Sequence, residues 1–341
     1  MRLRDAGPGG VEVGDVMGTG MEALGGNVAL VFPGQGSQFV GMGKALYDRS
    51  AAARGVFDRA DETLGFALSR LCFDGPTDEL EDTINAQPAI LTASVAALEA
   101  IEERAAETGA RIEPVVVAGH SLGEYTALVA AGVIDFPAAL RVVRERGRLM
   151  KEAGDERPGG MAAVIGLDRD ALEAVCVGAA VDGVVVVAND NCPGQSVISG
   201  ELPALQRAMD VAKQAGAKRV ARLGISIASH SPLMERASSQ LGDILAGLPL
   251  RPPRIPVVAN GSGRLMATVD EVRHELAHHV ERPVDWTRSV RTMVEAGATT
   301  FVEVGPGQVL SGLIKRIDRS VVTVGLADLG LPTDEKPAPS R

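Results

Sequence analysis

Short runs of apolar, often β-branched residues alternate along the chain with longer segments whose apolar positions recur at helical spacing. The clearest helical pattern covers residues 87–106 and a second covers 138–153, because the apolar side chains of each fall on one stripe of a helix. The predicted strands are 28–32, 114–118, 161–167, 183–189, 196–199, 219–223, 255–259 and 300–304. Strands that alternate with helices in this way are typical of an α/β protein with a largely parallel sheet.

The middle of the chain has a different predicted order of elements. From residue 159 to residue 225 it runs strand, helix, strand, strand, helix, strand, with the helices over 170–177 and 202–215, which is the βαββαβ order of a ferredoxin-like unit. We therefore expect a ferredoxin-like sub-domain inserted into a larger α/β domain. The expected segments are a flexible leader over 1–26, the larger domain over 27–157 and 227–325, the sub-domain over 158–226, and a flexible tail over 326–341.

Composition and charge narrow the class of protein. The 341 residues can bury a full core, and the net charge of −10 argues against a nucleic-acid-binding protein, which needs a dominant basic surface. No stretch reaches the roughly 20 uninterrupted apolar residues of a membrane-spanning helix. The cysteines Cys72, Cys176 and Cys192 are odd in number and far apart, so they predict neither a disulfide framework nor a paired-cysteine metal site. We expect a cytoplasmic protein with reduced thiols.

A serine between glycines, in the order Gly119-His120-Ser121-Leu122-Gly123, follows a predicted strand and precedes a predicted helix. In such a strand–turn–helix elbow the serine hydroxyl projects into a cleft. The N–H of the next residue lies at a helix N-terminus, where it can stabilise an oxyanion. The pattern indicates that Ser121 is a nucleophile; the alternative is a purely structural turn with an inert serine.

A second glycine-rich turn, with the order Pro-Gly-Gln-Gly-Ser over residues 33–37, follows the first predicted strand. Its glycines let backbone amides approach a ligand closely. The turn lacks the Lys-Ser/Thr pair of a phosphate-binding P-loop and the spacing of a dinucleotide-binding fingerprint. We therefore interpret it as the source of an oxyanion-binding amide, at Gln35.

Several further motifs accompany these two turns. They lie at 141–150, 160–163, 188–195, 230–234, 282–286 and 303–307. Together with both turns they resemble, over roughly residues 28–320, the malonyl-CoA:acyl carrier protein transacylases and the related acyltransferase domains of polyketide synthases. The resemblance implies a hydrolase-like α/β core with a short parallel sheet, into which the ferredoxin-like sub-domain is inserted.

The resemblance also implies roles for individual residues. Ser121 would be the nucleophile and His230 its base, as a Ser-His dyad, because a serine hydroxyl needs a base within hydrogen-bond reach. The amides of Gln35 and Leu122 would form the oxyanion hole, and Arg146 would pair with a carboxylate on the acyl group. The remaining residues expected at the substrate are Gln87, Asn189, Ser229 and His279.

His279 departs from the family pattern, in which this position is usually glutamine. In the family the backbone carbonyl at this position orients the catalytic histidine, and a carbonyl does not depend on the identity of its side chain. We therefore expect His279 to support His230 through its main chain. We interpret His120, next to the serine, as structural, because neighbouring residues at a turn usually point apart.

The implied reaction is ping-pong transfer of a malonyl group from CoA to the phosphopantetheine thiol of an acyl carrier protein, with no cofactor beyond these substrates. In the related polyketide synthase domains, serine before the histidine goes with methylmalonyl or larger groups, so the resemblance at Ser229 implies methylmalonyl, ethylmalonyl or another alkylmalonyl group. The aliphatic residue after the nucleophile, Leu122, implies malonyl instead, which we prefer. The alternatives are an acyl hydrolase on the same scaffold and a non-enzymatic docking scaffold. Because such carrier proteins are acidic, we expect a local basic face to bind them, at Lys213, Lys218, Arg219 and Arg222.

A literal His-Glu-x-x-His pattern, at His274, Glu275 and His278, matches the zinc-binding pattern of metalloproteases on a predicted helix. The two histidines would share a helix face, with Glu295 or Glu303 as a third ligand. The pattern lies in a strongly charged stretch, which is typical of a solvent-exposed helix. We therefore expect no metal site here.

Overall fold

The structure, a computed structural model, describes residue 24, residues 27–181 and residues 183–334. The part of the chain that it describes forms two sheets. In the larger sheet the strands lie in the spatial order β11 (Val322–Val324), β10 (Thr300–Glu303), β1 (Val28–Phe32), β2 (Val116–Gly119), β7 (Val257–Val258) and β8 (Leu265–Met266). Neighbouring strands in this sheet are parallel, except β7 and β8, which are antiparallel.

Helices connect the strands and cover their faces. In the described residues they are α1 (Lys44–Arg49), α2 (Ala51–Leu64), α3 (Leu68–Asp74), α4 (Thr77–Glu81), α5 (Thr83–Thr108), α6 (Gly123–Ala130), α7 (Phe136–Glu156), α8 (Arg169–Ala179), α9 (Leu202–Gln214), α10 (Glu235–Ala246), α11 (Val269–His278), α12 (Trp286–Glu295) and α13 (Val309–Ile317). The two clearest helical patterns in the sequence correspond to α5 and α7.

Strand β1 shows that the larger sheet is covered on both faces. All of its residues are buried, and successive side chains of a strand point to opposite faces. Leu30 and Phe32 belong to the apolar cluster that also contains the side chains of α5 and α6, whereas Ala29 and Val31 belong to the cluster around Trp286. A parallel strand buried on both faces has a continuous apolar sequence, which is why apolar and polar residues do not alternate along β1.

Helix α5 is a core helix. By length and composition it is long and apolar enough to cross a membrane, but 78% of its most apolar window is buried inside the protein. It packs against α2 and α7. Its apolar residues therefore have partners within the fold.

The smaller sheet has the spatial order β6 (Arg219–Arg222), β3 (Gly159–Ile165), β5 (Gln195–Glu201), β4 (Val185–Cys192) and β9 (Val284–Asp285). Its first four strands are antiparallel and, with α8 and α9, follow the predicted βαββαβ order. β9 comes from the later part of the chain and pairs in parallel with β4, so this sheet extends beyond residues 158–226. The predicted fold class, an α/β core with an inserted ferredoxin-like sub-domain, is confirmed.

The expected flexible tail is wrong for its first residues. Leu326 and Leu329 are buried in the core of the larger domain, and the Asp334 carboxylate accepts a hydrogen bond from the Ala45 N–H at 3.0 Å. Apolar packing and this bond hold residues 326–334 on the domain. Residues 335–341 and the expected leader, apart from Leu24, lie outside the described residues.

Candidate active site

Ser121 lies in a tight turn between β2 and α6. Its φ of 49° is in the left-handed region that residues other than glycine rarely adopt. The turn is closely packed, since a Cβ atom at Gly119 would lie 1.9 Å from the carbonyl carbon of Gly123, and one at Gly123 would lie 2.0 Å from the carbonyl oxygen of Phe32. Only glycine fits at these two positions. The turn thus has the strand–turn–helix geometry predicted around the serine.

His230 lies directly beside the serine. Its Nε2 is 2.8 Å from Oγ of Ser121, and its Nδ1 is 3.1 Å from the carbonyl oxygen of His279 and 3.0 Å from that of Arg282. Because carbonyl oxygens only accept, Nδ1 carries the hydrogen and Nε2 is left to accept the serine hydroxyl proton. With φ of 58°, His230 is also left-handed, and among the described non-glycine residues only it and Ser121 have positive φ.

The electrostatic surroundings keep the His230 imidazole neutral. Burial holds its pKa well below the ordinary histidine value, and the charge of the neighbouring Arg146 lowers this pKa further. A neutral imidazole with a free acceptor nitrogen is the form that a general base requires. The pair of Ser121 and His230 can therefore activate a hydroxyl nucleophile.

Arg146 projects from α7 towards the serine, and only 1% of its surface is exposed. Its Nη2 donates to Oγ of Ser121 at 3.1 Å, and its Nη1 donates to Oε1 of Gln87 at 2.6 Å. Its Nε is buried and makes no hydrogen bond within the described structure. A guanidinium stays charged in proteins and binds carboxylates with two donors. A buried guanidinium with an unused donor is therefore suited to an anionic ligand.

A chain of hydrogen bonds joins Arg146 to the glycine-rich turn at residues 33–37. Gln87, which accepts from the arginine, donates through Nε2 to Oγ1 of Thr83 at 3.1 Å. The Thr83 hydroxyl in turn donates to Oε1 of Gln35 at 2.8 Å. The chain brings Gln87 and Gln35 together with the arginine, through a threonine that was not identified from the sequence.

The side chain of His279 is buried between Arg146 and Glu124. Its Nδ1 lies 3.4 Å from Nη2 of the arginine. Its Nε2 lies 2.9 Å from Oε2 of Glu124, although this pair lacks the angles of a hydrogen bond. Burial raises the pKa of Glu124 to about 8 and lowers that of His279 to about 3, so both are uncharged at neutral pH. His279 thus contacts the arginine through its side chain and His230 through its main chain.

The side chains of the other residues expected at the site do not join this hydrogen-bond network in the described structure. Leu122 is fully buried at the start of α6. Asn189 on β4 and Ser229, which precedes the histidine, are also buried, and in the described structure neither side chain bonds to the serine, the histidine or the arginine. His120 contacts Oδ1 of Asn191 through its Nε2 at 2.8 Å, and so joins the elbow to the smaller sheet.

Asn260 is a site residue that was not identified from the sequence. Its Oδ1 accepts from the Ser121 N–H at 2.7 Å, and its Nδ2 donates to the Gly119 carbonyl at 2.7 Å. It follows β7, which pairs in parallel with β2, and the carboxyl ends of neighbouring parallel strands meet at one edge of a sheet. Its only signal in the sequence is a polar residue directly after the predicted strand 255–259.

The His-Glu-x-x-His pattern lies on α11. Its central residue, Glu275, is buried and accepts a hydrogen bond from the Gly261 N–H at 2.7 Å, and Nδ1 of His278 lies 2.6 Å from Oε1 of Glu281. Within the described residues, no group of three or more His, Cys, Asp or Glu side chains is arranged to hold a metal ion. The expectation of no metal site stays a prediction.

Comparison with known proteins shows similarity over most of the chain. The acyl transferase domain family matches residues 29–328. The malonyl CoA-acyl carrier protein transacylase of Bacillus subtilis is 44% identical over 302 residues, which cover 88% of this chain and 93% of that protein. The solved malonyl CoA-acyl carrier protein transacylase of Coxiella burnetii has a TM-score of 0.85 and 39% identity, and covers 89% of this chain and 94% of its own.

A second solved structure is a malonyl-transacylase in complex with its type II polyketide synthase acyl carrier protein. Its TM-score is 0.84 at 42% identity, with 88% of this chain and 95% of that chain covered. The family match defines the class of this protein as an acyl transferase domain. Within that class, the chain belongs to the malonyl-CoA:acyl carrier protein transacylase family, and the resemblance predicted from the sequence is confirmed.

Proposed function

We propose that this protein transfers a malonyl group from CoA to the phosphopantetheine thiol of an acyl carrier protein, through an acyl ester on Ser121. The observation that carries the proposal is the position of Arg146, a buried cation with an unused donor, 3.1 Å from Oγ of Ser121. The reaction needs a nucleophile and a carboxylate-binding group this close together, because the carboxylate of malonyl lies one methylene from the thioester carbonyl. Malonyl transfer is also the activity for which the relatives described above are named.

The first half-reaction makes the acyl-enzyme. As Oγ of Ser121 attacks the thioester carbon, its proton passes to Nε2 of His230. The amides of Gln35 and Leu122 stabilise the oxyanion, the latter with help from the positive N-terminus of α6. When the carbon–sulfur bond breaks, the proton on His230 goes to the departing CoA thiolate.

The second half-reaction runs the same steps with a different thiol. The phosphopantetheine thiol of the carrier protein gives its proton to Nε2 of His230 as its sulfur attacks the ester carbon. The ester bond breaks, and Oγ of Ser121 takes the proton back. The free enzyme is regenerated without a cofactor. The mechanism is ping-pong because CoA leaves before the carrier protein attacks, and Ser121 and His230 act as a dyad in both half-reactions.

We assign the protein to the cytoplasm. Its three cysteines are free and buried, which is consistent with a reducing compartment. The carrier protein would bind at the exposed basic residues of the smaller domain, Lys213, Lys218, Arg219 and Arg222.

Intact mass spectrometry of the acyl-enzyme tests the proposal. The protein is incubated separately with malonyl-, methylmalonyl-, ethylmalonyl- and acetyl-CoA, and any adduct is mapped by peptide digestion. We expect a malonyl adduct on Ser121 that disappears on addition of a phosphopantetheinylated carrier protein and is absent from Ser121→Ala. An adduct elsewhere, a preference for acetyl, or loss of the adduct to water instead of to the carrier protein would contradict the proposed function.

A further inference from the structure

The side chain of Asn260, which is only 2% exposed, bonds to the backbone of the elbow around Ser121 at two points. Its carboxamide accepts from the Ser121 N–H and donates to the Gly119 carbonyl, both at 2.7 Å. The two bonds span the turn, from the last residue of β2 to the serine. Among neutral side chains, a carboxamide offers an acceptor and a donor on adjacent atoms, so this residue type matches the two backbone groups it meets.

Asn260 is itself anchored through its main chain. Its N–H donates to Oε1 of Glu124 at 3.3 Å, and its carbonyl accepts from the Asp285 N–H at 2.9 Å. Glu124 is fully buried in the first turn of α6, directly after the elbow. The carboxamide is therefore fixed between the end of β7, the start of α6 and β9, and cannot adjust without moving one of them.

The backbone of Ser121 needs such support. A non-glycine residue in the left-handed region is strained, and it persists where the surrounding structure over-determines it. Without the carboxamide, the Ser121 N–H and the Gly119 carbonyl would both lose a partner. The peptides on either side of His120 would then each keep one hydrogen bond, from the His120 N–H to the Phe32 carbonyl at 3.0 Å and from the Gly123 N–H to the His120 carbonyl at 2.9 Å. A shift of the Ser121 backbone out of the left-handed region would move Oγ away from His230, and it would also turn the N–H of Leu122.

We propose that Asn260 is a positioning residue for acyl transfer. It sets the backbone of Ser121, and thereby the direction of the hydroxyl and of the oxyanion-binding amide, without touching the substrate. The inference rests on the proposed function only in assigning a reaction to Ser121. The effect of Asn260 on Ser121 is independent of which acyl group is transferred.

Asn260→Ala tests this role with two readouts, malonyl transfer and the rate at which a sulfonyl fluoride labels Ser121. Misplacement of a reacting group by about 1 Å costs about 10²-fold in rate, so we expect kcat and the labelling rate to fall together by about that factor. KM for malonyl-CoA should change less than about threefold, because Arg146 is not held by Asn260. Asn27→Ala is the matched control, since it also removes a carboxamide-to-carbonyl bond, to Gly297 at 3.0 Å, at the far end of β1.

The Asn260→Asp variant distinguishes a positioning role of residue 260 from a purely structural role, because its rate is measured per folded molecule. The introduced carboxyl reproduces both hydrogen bonds only when it is protonated. Burial of position 260, which is 2% exposed, and the carboxyls of Glu275 on α11 and Asp285 on β9 favour that form, whereas the charged Arg146 beside Ser121 opposes it. We expect the rate per folded molecule, relative to the unsubstituted protein, to rise as pH falls from about 8 to about 6. A purely structural role would leave this ratio constant.

Two results would overturn the proposal. One is a labelling rate of Asn260→Ala within twofold of the unsubstituted protein. The other, which serves if the alanine variant does not fold, is a pH-independent ratio near one for Asn260→Asp. If the unsubstituted protein labels at Ser121 but transfers no malonyl, the proposed function fails while the labelling rates still decide the role of Asn260.

Discussion

Arg146 donates a hydrogen bond from Nη2 to Oγ of Ser121 across 3.1 Å. In the proposed reaction, a carboxylate that pairs with this guanidinium would lie close to Oγ of Ser121. Acyl groups with a longer spacer between carboxylate and thioester would place the carbonyl carbon beyond Oγ. The separation of these two residues thus favours a short dicarboxylic acyl group.

Arg146→Ala should reduce malonyl transfer more than acetyl transfer. Loss of a charge-assisted pair costs about 1.5–3 kcal/mol, so we expect kcat/KM for malonyl-CoA to fall by about 10–10²-fold, and kcat/KM for acetyl-CoA to change by less than about threefold. Acyl-enzyme formation from each thioester, followed by mass spectrometry, measures both. Arg148→Ala on the same helix is the control, since Arg148 is exposed and pairs with Glu145 and Glu152. Equal losses for both acyl groups would contradict the assigned role of Arg146.

Acylation by malonyl-CoA should stay constant as pH falls through the ordinary histidine value of about 6.5. Nε2 of His230 accepts a proton only while the imidazole is neutral, and burial holds its pKa well below that value. The rate should therefore decline only at lower pH, where the imidazole becomes protonated. The pH profile of kcat/KM in the first half-reaction reports this pKa. A midpoint near 6.5 would show that the imidazole is more exposed to solvent than its surroundings indicate.

His279→Gln should keep most of the activity. The carbonyl of residue 279, which accepts from Nδ1 of His230 at 3.1 Å, is part of the main chain and is retained. The lost side-chain contact to Arg146 is long, at 3.4 Å. We expect kcat/KM for malonyl-CoA within about threefold of the unsubstituted protein. A tenfold loss, with the fold intact by circular dichroism, would mean that the imidazole itself contributes to holding the arginine.

Reversal of two charges on the smaller domain, Lys218→Glu with Arg219→Glu, should weaken binding of the carrier protein. Both side chains are exposed, whereas Lys213 is already paired with Asp210 at 3.0 Å. We expect KM for the carrier protein to rise about tenfold at low salt, and the difference to shrink as salt is added. Arg111→Glu, at an exposed site on the larger domain, is the control. An unchanged KM for the carrier protein at low salt would contradict the proposal that the carrier protein binds at this surface.

The sequence predicted those elements whose formation depends on residues close together in the chain. The bounds of β1 match the predicted strand, and the elbow at Ser121 requires only an apolar run, two glycines and a helix start, all within a few residues. The strands that were missed, β8, β9 and β11, have two or three residues each, too few for a periodic pattern. They exist because a neighbouring strand supplies their hydrogen bonds. Leu329 was likewise misplaced in a flexible tail because its burial depends on tertiary packing.

The active-site residues likewise differ in how far they could be predicted from local sequence. Ser121 and His230 are 109 positions apart, so no spacing rule pairs them, and their pairing was predicted from the family resemblance. Asn260 has partners 139 and 141 positions away, and it carries no motif of its own. Only the pairing of β7 with β2 brings it to the serine.

The hydrogen-bond chain from Arg146 through Gln87 and Thr83 to Gln35 can run in only one direction. A guanidinium has no acceptor, so Gln87 must present its oxygen to Arg146 and its nitrogen to Thr83, whose hydroxyl hydrogen is then left for Gln35. The cation therefore determines the orientation of the Gln87 carboxamide and of the Thr83 hydroxyl, both of which lie on α5. The side chain of Gln35, in the glycine-rich turn, is thereby oriented relative to Arg146 through two intervening side chains.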